Sequence, residues 1–249
     1  MIIRKILPSD AGYIDQICEL LTSSYDPAVS KFLIYRDSNY RNYLVNSLGG
    51  SRDYIFVALS ATAELMGFTQ VRVLDFELFL NNIITAPGFQ GANVASGLLD
   101  LTIKDMLKDG RDIKTFALDV FERNADVLKW YLRLGMKLRS TRCWYDLSDE
   151  YEGCAVRSGS NRISVEKDEA GFTQVYSGDV RIGTLVGGDR LLLRSEIASS
   201  VLEDLKGHFK NELAGLCLIT DKELSYPLID RSFQLQVEIA DLKFRERRT

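Results

Sequence analysis

Between a run of β-forming residues and an amphipathic stretch lies the segment Thr85-Ala86-Pro87-Gly88-Phe89-Gln90-Gly91-Ala92-Asn93-Val94-Ala95. A helix that begins here leaves its first backbone N–H groups without intrahelical acceptors, and its dipole adds positive potential at the same end. Small residues let an anion approach that backbone closely. The chemistry this predicts is capture of a phosphate group at a strand–loop–helix junction. A turn that binds nothing is the alternative.

The segment resembles the pyrophosphate loop of the Gcn5-related N-acetyltransferases (GNAT), written Q/R-x-x-G-x-G/A. Gln90 and Ala95 match, and Gly91 matches an additional glycine that many members carry. Asn93 stands where glycine is usual, and Asn is the other residue that most readily turns left-handed. A second resemblance follows in the family's order: N-x(6)-Y-x(3)-G-F is met by Asn124, Tyr131, Gly135 and, as an apolar replacement, Met136. The resemblance covers residues 1–147 and says little of 148–249.

It implies an α/β (α+β) fold, a mixed central sheet flanked by helices, with acetyl-CoA as co-substrate and direct attack of an amine on the bound thioester. It implies that Gln90, Gly91, Ala92, Asn93, Val94 and Ala95 hold the pyrophosphate and that Asn124 bonds the pantetheine arm. Tyr131 would be the general acid for the departing thiolate. The oxyanion donor would be a backbone N–H on the strand ending at Thr85, around Ile83 and Ile84. The aromatic residues Tyr25, Phe32, Tyr35, Tyr40 and Tyr43 fall where the family builds one wall of its acceptor pocket. A plainer account is that Asn124 caps its helix and Tyr131 packs.

An attacking amine must lose a proton, which calls for a carboxylate or a water chain near the same strand. Glu77 is the nearest carboxylate on it, with Asp75 just before, so Glu77 is the candidate base. Asn81 and Asn82 are adjacent amides in an apolar strand. They need partners if buried, and are the candidates for binding the acceptor. His208, the only histidine, falls mid-helix and reads as filler. Cys18, Cys143, Cys154 and Cys217 form no CxxC pair, so no metal is expected.

Hydrophobic periodicity outlines the elements that would position these residues. It predicts a strand over 2–7, a helix from Tyr13 to Leu21, and a helix over 40–48 ended by Gly49-Gly50. An antiparallel hairpin covers 54–60 and 65–73, and a further strand 76–85. Helices over 94–108 and 124–134 then alternate with strands over 115–120 and 136–147. After Asp149 the pattern restarts with strands at 162–166, 172–177, 180–186 and 190–194, a helix over 196–213, and strands at 215–220 and 233–242. This gives a GNAT domain over 1–147 and a smaller β-rich domain over 151–249.

The word Gly67-Phe68-Thr69-Gln70-Val71 recurs as Gly171-Phe172-Thr173-Gln174-Val175, with similar spacing to the next helix. That makes 151–249 a candidate degenerate repeat. On this alignment residues 90–95 correspond to Arg190-Leu191-Leu192-Leu193-Arg194-Ser195, whose bulk would keep a phosphate out. The second domain is therefore expected to bind no CoA.

Composition limits the partners. A net charge of -4, from 31 basic and 35 acidic residues, gives no field for nucleic acid or an anionic membrane. The start Met1-Ile2-Ile3-Arg4-Lys5 carries no apolar signal region, and no apolar run reaches spanning length, so a cytoplasmic protein with reduced thiols is expected. The leading expectation is an N-acetyltransferase acting on the primary amine of a small molecule, with a homodimer as its assembly. A protein or peptide N-acetyltransferase and a non-catalytic acyl-CoA-binding regulator stay open.

Overall fold

A computed structural model describes residues 1–108, 110–153, 162–194, 197–210 and 212–243. In chain order its elements are β1 Ile2–Lys5, α1 Ile14–Ser24, α2 Pro27–Ser30, α3 Tyr40–Ser47, β2 Asp53–Leu59, β3 Leu65–Leu74, β4 Glu77–Thr85 and α4 Val94–Lys108. Then come β5 Thr115–Phe121, α5 Ala125–Arg133, β6 Lys137–Asp146, α6 Ser148–Gly153, β7 Ile163–Lys167 and β8 Thr173–Ser177. The last are β9 Val180–Val186, β10 Arg190–Leu193, α7 Ser199–Phe209, β11 Gly215–Thr220 and β12 Leu228–Glu238.

These elements form two compact units. The first takes Met1–Ser24, Leu44–Ser140 and the chain from Phe233 onward, and the second takes Tyr25–Tyr43 and Thr141–Ser232. The units are therefore not two consecutive stretches of sequence. Residues 25–43 and the chain from 233 each join the unit formed mainly by the other half.

In the first unit the strand order is β1-β2-β3-β4-β5-β12-β6, with the later part of β12 lying beside β5. The first three pairings are antiparallel, and β4 with β5 is parallel. A parallel pair needs a crossover, and α4 supplies it. One face of α4 (Val94, Leu98, Leu99, Ile103, Met106) is buried, against Tyr54 and Phe56 of β2, Leu78 and Leu80 of β4, and Phe116 and Leu118 of β5. Helix α1 buries Ile14, Ile17 and Leu21 at helical spacing.

In the second unit the order is β12-β6-β11-β10-β9-β8-β7. Strands β7 to β10 again pair antiparallel, and β10 with β11 is parallel across α7. The segment 25–43 is fixed here by packing and charge. Phe32 is fully buried, and its ring lies 3.2 Å from where a Cβ on Gly215 would stand, so a side chain there would press on the ring. Lys31 Nζ lies 3.4 Å from Asp146 Oδ2. Tyr25, Tyr35, Tyr40 and Tyr43 form a chain of ring contacts that ends on Phe172, with centroids 5.0 to 5.7 Å apart.

The fold repeats, but not in the register of the shared word. Gly67 lies on the third strand of its set, whereas Gly171 precedes the second strand of its own. The counterpart of Gly67 is Gly183. Gly67 pairs with Thr85, and a Cβ on it would meet Ile84 O at 2.6 Å; Gly183 pairs with Leu193, and a Cβ there would meet Leu192 O at 2.5 Å. The neighbouring bonds agree, Ala86 N–H to Met66 O at 2.9 Å and Arg194 N–H to Ile182 O at 3.1 Å. The expected overlay of 67–71 on 171–175 is thus replaced by one of 67 on 183. Residues 190–193 are strand β10, so the position matching the start of the loop 86–93 is Arg194.

Candidate active site

In the first unit the parallel ladder between β4 and β5 runs from Glu77–Thr115 to Leu80–Leu118 and stops. Beyond it β4 continues to Thr85 and β5 to Phe121. Along the other edge β3 stays paired with β4 up to Thr85, with one irregularity: Gln70 faces Asn82 and Val71 faces Leu80, leaving Asn81 as the extra residue of a bulge. The two parallel strands therefore part at the bulge, with unladdered backbone of β4 along the opening.

Strand alternation settles which groups face that opening. The bond from Ala86 N–H to Met66 O makes 66/86 a hydrogen-bonded pair, and two residues on, 68/84 is another. Thr85 and Ile83 then turn their N–H groups away from β3, toward the side where β5 has parted. Of the two expected oxyanion donors, Ile83 faces the opening and Ile84 faces β3.

After β4, Pro87–Phe89 makes one 3-10 turn, with Phe89 N–H on Ala86 O at 2.9 Å. Gly91 follows at φ 80° and Asn93 at φ 58°, both left-handed. Asn93 thus takes the conformation that the sequence demanded of it. Gly97 N–H donates to Asn93 O at 3.0 Å, which leaves the N–H groups of Val94, Ala95 and Ser96 without an acceptor inside α4. Nothing lies within 4 Å of where a Cβ on Gly91 would stand, and Gln90 to Asn93 are exposed. Val94 is buried against Gly67 and anchors the turn. Small side chains, open space and converging N–H groups suit a pyrophosphate.

Helix α5 follows β5. Asn124 stands at its N-cap, exposed, and its side chain makes no capping bond. Tyr131 is 4% exposed, its ring 4.7 Å from that of Trp130. Burial pushes its hydroxyl above the ordinary value of 10.0, so the group keeps its proton at neutral pH. Such a phenol is a donor, not a base.

Two expectations meet a different arrangement. Glu77 stands at the paired end of β4, three residues before the strands part. Its Oε2 accepts from Gln236 Nε2 at 2.9 Å and lies 3.4 Å from Arg139 Nη1 and from Thr115 Oγ1. The carboxylate ties β4 to its neighbours and is not held open for an amine. Asn82 is 3% exposed, and its Nδ2 donates to Gln70 Oε1 at 2.9 Å, while its carbonyl accepts from Thr69 Oγ1 at 3.1 Å. It belongs to the core. Asn81, half-buried on the bulge, remains beside the opening.

A description of the acetyltransferase (GNAT) family matches residues 14–136, which hold the bulge, the parting strands, the turn and Tyr131. Residues 14–136 form a GNAT acetyltransferase domain. Over the whole chain the structure is similar to a tandem GNAT protein from the clavulanic acid biosynthesis pathway, solved without acetyl-CoA. The TM-score is 0.68 at 11% identity, covering 95% of this chain and 98% of that one. A GCN5-related N-acetyltransferase from Sphaerobacter thermophilus is similar with a TM-score of 0.58 at 10% identity, covering 98% and 97%. At such identities the likeness is one of fold, and it extends over both units. No curated protein matches the sequence.

The GNAT domain makes the chain an acyl-CoA-dependent N-acetyltransferase, and the second half of the fold repeats the strand pairing of the first. That half keeps the glycine of the third strand but not the opening. All four residues of β10 pair with β11, from Arg190–Gly215 to Leu193–Leu218. His208 is exposed on α7 with its ring 4.8 Å from Phe209. Cys18, Cys143 and Cys217 are free thiols, and Cys154 lies outside the described residues. Among the described residues no helix is long and apolar enough to cross a membrane, and no three His, Cys, Asp or Glu side chains are grouped to hold a metal.

Proposed function

We propose that this protein transfers the acetyl group of acetyl-CoA to the primary amine of a small molecule, using the first unit alone. The observation that carries the reading is the parting of β4 and β5 beyond Leu80–Leu118, directly before a turn with Gly91 and Asn93 left-handed. Backbone N–H groups within Gln90 to Ala95, other than that of Ala92, which donates to Phe89 O at 3.3 Å, would hold the pyrophosphate, and Thr85 and Ile83 would offer backbone to the pantetheine arm, with Asn124 on α5 as a further partner. The acyl-CoA thioester supplies an electrophilic carbonyl and a thiolate leaving group.

Ile83 N–H would hold the carbonyl oxygen as it gains charge, a role for a fixed donor already aimed at the place where charge develops. The amine nitrogen forms its bond to the carbonyl carbon and the carbon–sulfur bond breaks. Tyr131 hands its proton to the departing sulfur and regains one from solvent, which restores the neutral phenol that its burial favours. The proton lost by the amine leaves through water, with Asn81 orienting the nitrogen, because Glu77 is engaged elsewhere. A panel of small amines and of peptides bearing a free N-terminus or lysine, followed by thiol release, tests this. Release with small amines is expected. Release with peptides alone would move the acceptor to proteins, and acetyl-CoA binding without release would leave a regulator.

A further inference from the structure

Strand β7 ends the sheet of the second unit, and among the described residues no strand pairs with its outer edge. Gly178 N–H donates to Arg162 O at 2.7 Å and Asp168 N–H to Phe172 O at 2.9 Å, so the even-numbered residues of this stretch make the bonds to β8. Ile163, Val165 and Lys167 therefore turn their backbone N–H and C=O groups outward. Ile163 is buried, but Val165 is 43% exposed, and Arg162, Ser164, Glu166, Lys167 and Asp168 are exposed as well.

We propose that β7 is the dimerisation edge of this protein, pairing antiparallel with β7 of a second copy about a two-fold axis at Val165. An unpaired edge is a template for another strand, and a two-fold contact must be complementary to itself. Centring on Val165 matches the outward groups. Val165 faces Val165 of the copy and Ile163 faces its Lys167, each pair exchanging both N–H···O bonds. On one face the two exposed Val165 side chains cover each other. On the other face Arg162 stands opposite the copy's Asp168 at both ends, and Ser164 stands opposite Glu166. Asp168 Oδ1 accepts from Ala170 N–H and Phe172 N–H, each at 3.0 Å, and its Oδ2 accepts from Gln174 Nε2 at 2.7 Å. These neutral donors hold the carboxylate in place and bring no counter-charge. Centring on Lys167 would set Glu166 against Asp168 at both ends, which repels. Centring on Ile163 would forgo both pairings of Arg162 with Asp168. Charge thus selects one register. No residue of the acyl-CoA turn takes part.

Sedimentation equilibrium of the full chain tests this. A monomer–dimer equilibrium with Kd of roughly 100 μM or tighter is expected, as suits a small interface. Val165→Pro removes an N–H that points away from β8, so Tm should hold while the dimer weakens about tenfold or more. Arg162→Asp should weaken it by a similar factor, because it sets like charges opposite each other at both ends. That second variant changes an exposed side chain, so it decides the matter even where the proline variant fails to fold. Unchanged acetyl-CoA binding checks that each variant is folded. Weakening in every folded variant supports the edge. A chain still wholly monomeric at that concentration, or a dimer whose Kd is unchanged in Arg162→Asp or in folded Val165→Pro, overturns it.

Discussion

Two parallel strand pairs, β4 with β5 and β10 with β11, occupy the same place in the two units and close differently. The first pair runs four rungs and parts, and eight residues, 86–93, then carry the chain into α4 through two left-handed turns. The second pair stays together for the whole of β10, and only five residues, 194–198, lead to α7. Both keep a glycine on the third strand because the carbonyl of the fourth would collide with any side chain there. The shared glycine thus belongs to the packing, while the parted strands and the left-handed turn set apart the unit proposed to hold acyl-CoA. A fold is inherited with its steric necessities, and its function resides in a few residues at one strand end.

The largest effect should come from Gly91→Glu. Wild-type protein at acetyl-CoA a hundredfold above Kd gains about 2.7 kcal/mol from linkage, read as a thermal shift. The variant should show no shift, because bulk and negative charge stand where phosphate oxygens approach. Next, Tyr131→Phe should lower kcat about 10²-fold while acetyl-CoA affinity holds. Because burial raises the Tyr131 value, no loss of activity from this group is expected until pH exceeds 10.0, and wild-type rates measured from pH 7 upward check it. The same sign applies to folding. The buried neutral phenol adds stability below pH 10.0, which is lost as pH rises through the folded-state value. Affinity loss without rate loss would assign Tyr131 to packing.

Smaller effects sharpen the comparison between the glycines. Gly67→Ala and Gly183→Ala should each destabilise by about 1–3 kcal/mol in chemical unfolding, since each Cβ meets a backbone carbonyl. Only the first should also weaken acetyl-CoA. Equal effects on ligand binding would break the distinction between packing and site. The smallest effect is expected for Glu77→Gln. The Arg139 partner is half-exposed, which limits that ion pair to about 0–1 kcal/mol, and activity should stay within about tenfold of wild type. A much larger fall in kcat, with a shifted pH profile, would restore Glu77 as the base.

Much of this was legible in the residues. The apolar spacing of Leu98, Leu99, Ile103 and Met106 marked α4 at its full length, 94–108, and the run Gly215–Thr220 marked β11. Asn93 announced its left-handed turn by type. Other features escaped because their causes are not local. Leu228–Ser232 opens β12 with Asp230 and Ser232, polar residues that read as loop; they are buried, and Ser232 Oγ accepts from Trp144 Nε1 at 3.1 Å. Helix α2 is four residues long, started by Asp26 accepting from Ala28 N–H at 2.8 Å, too short for any periodicity. The word shared by 67–71 and 171–175 misled because identity of letters ignores strand number. The partner of Glu77 escaped because nothing in the chain near it foretells Gln236.

The central claim is that one unit binds acyl-CoA and the other does not. Calorimetric titration with acetyl-CoA measures this directly through stoichiometry, on wild type and on Gly91→Glu. The account predicts one molecule per chain for wild type and none for the variant. Two molecules per wild-type chain, or one that persists in Gly91→Glu, would contradict it.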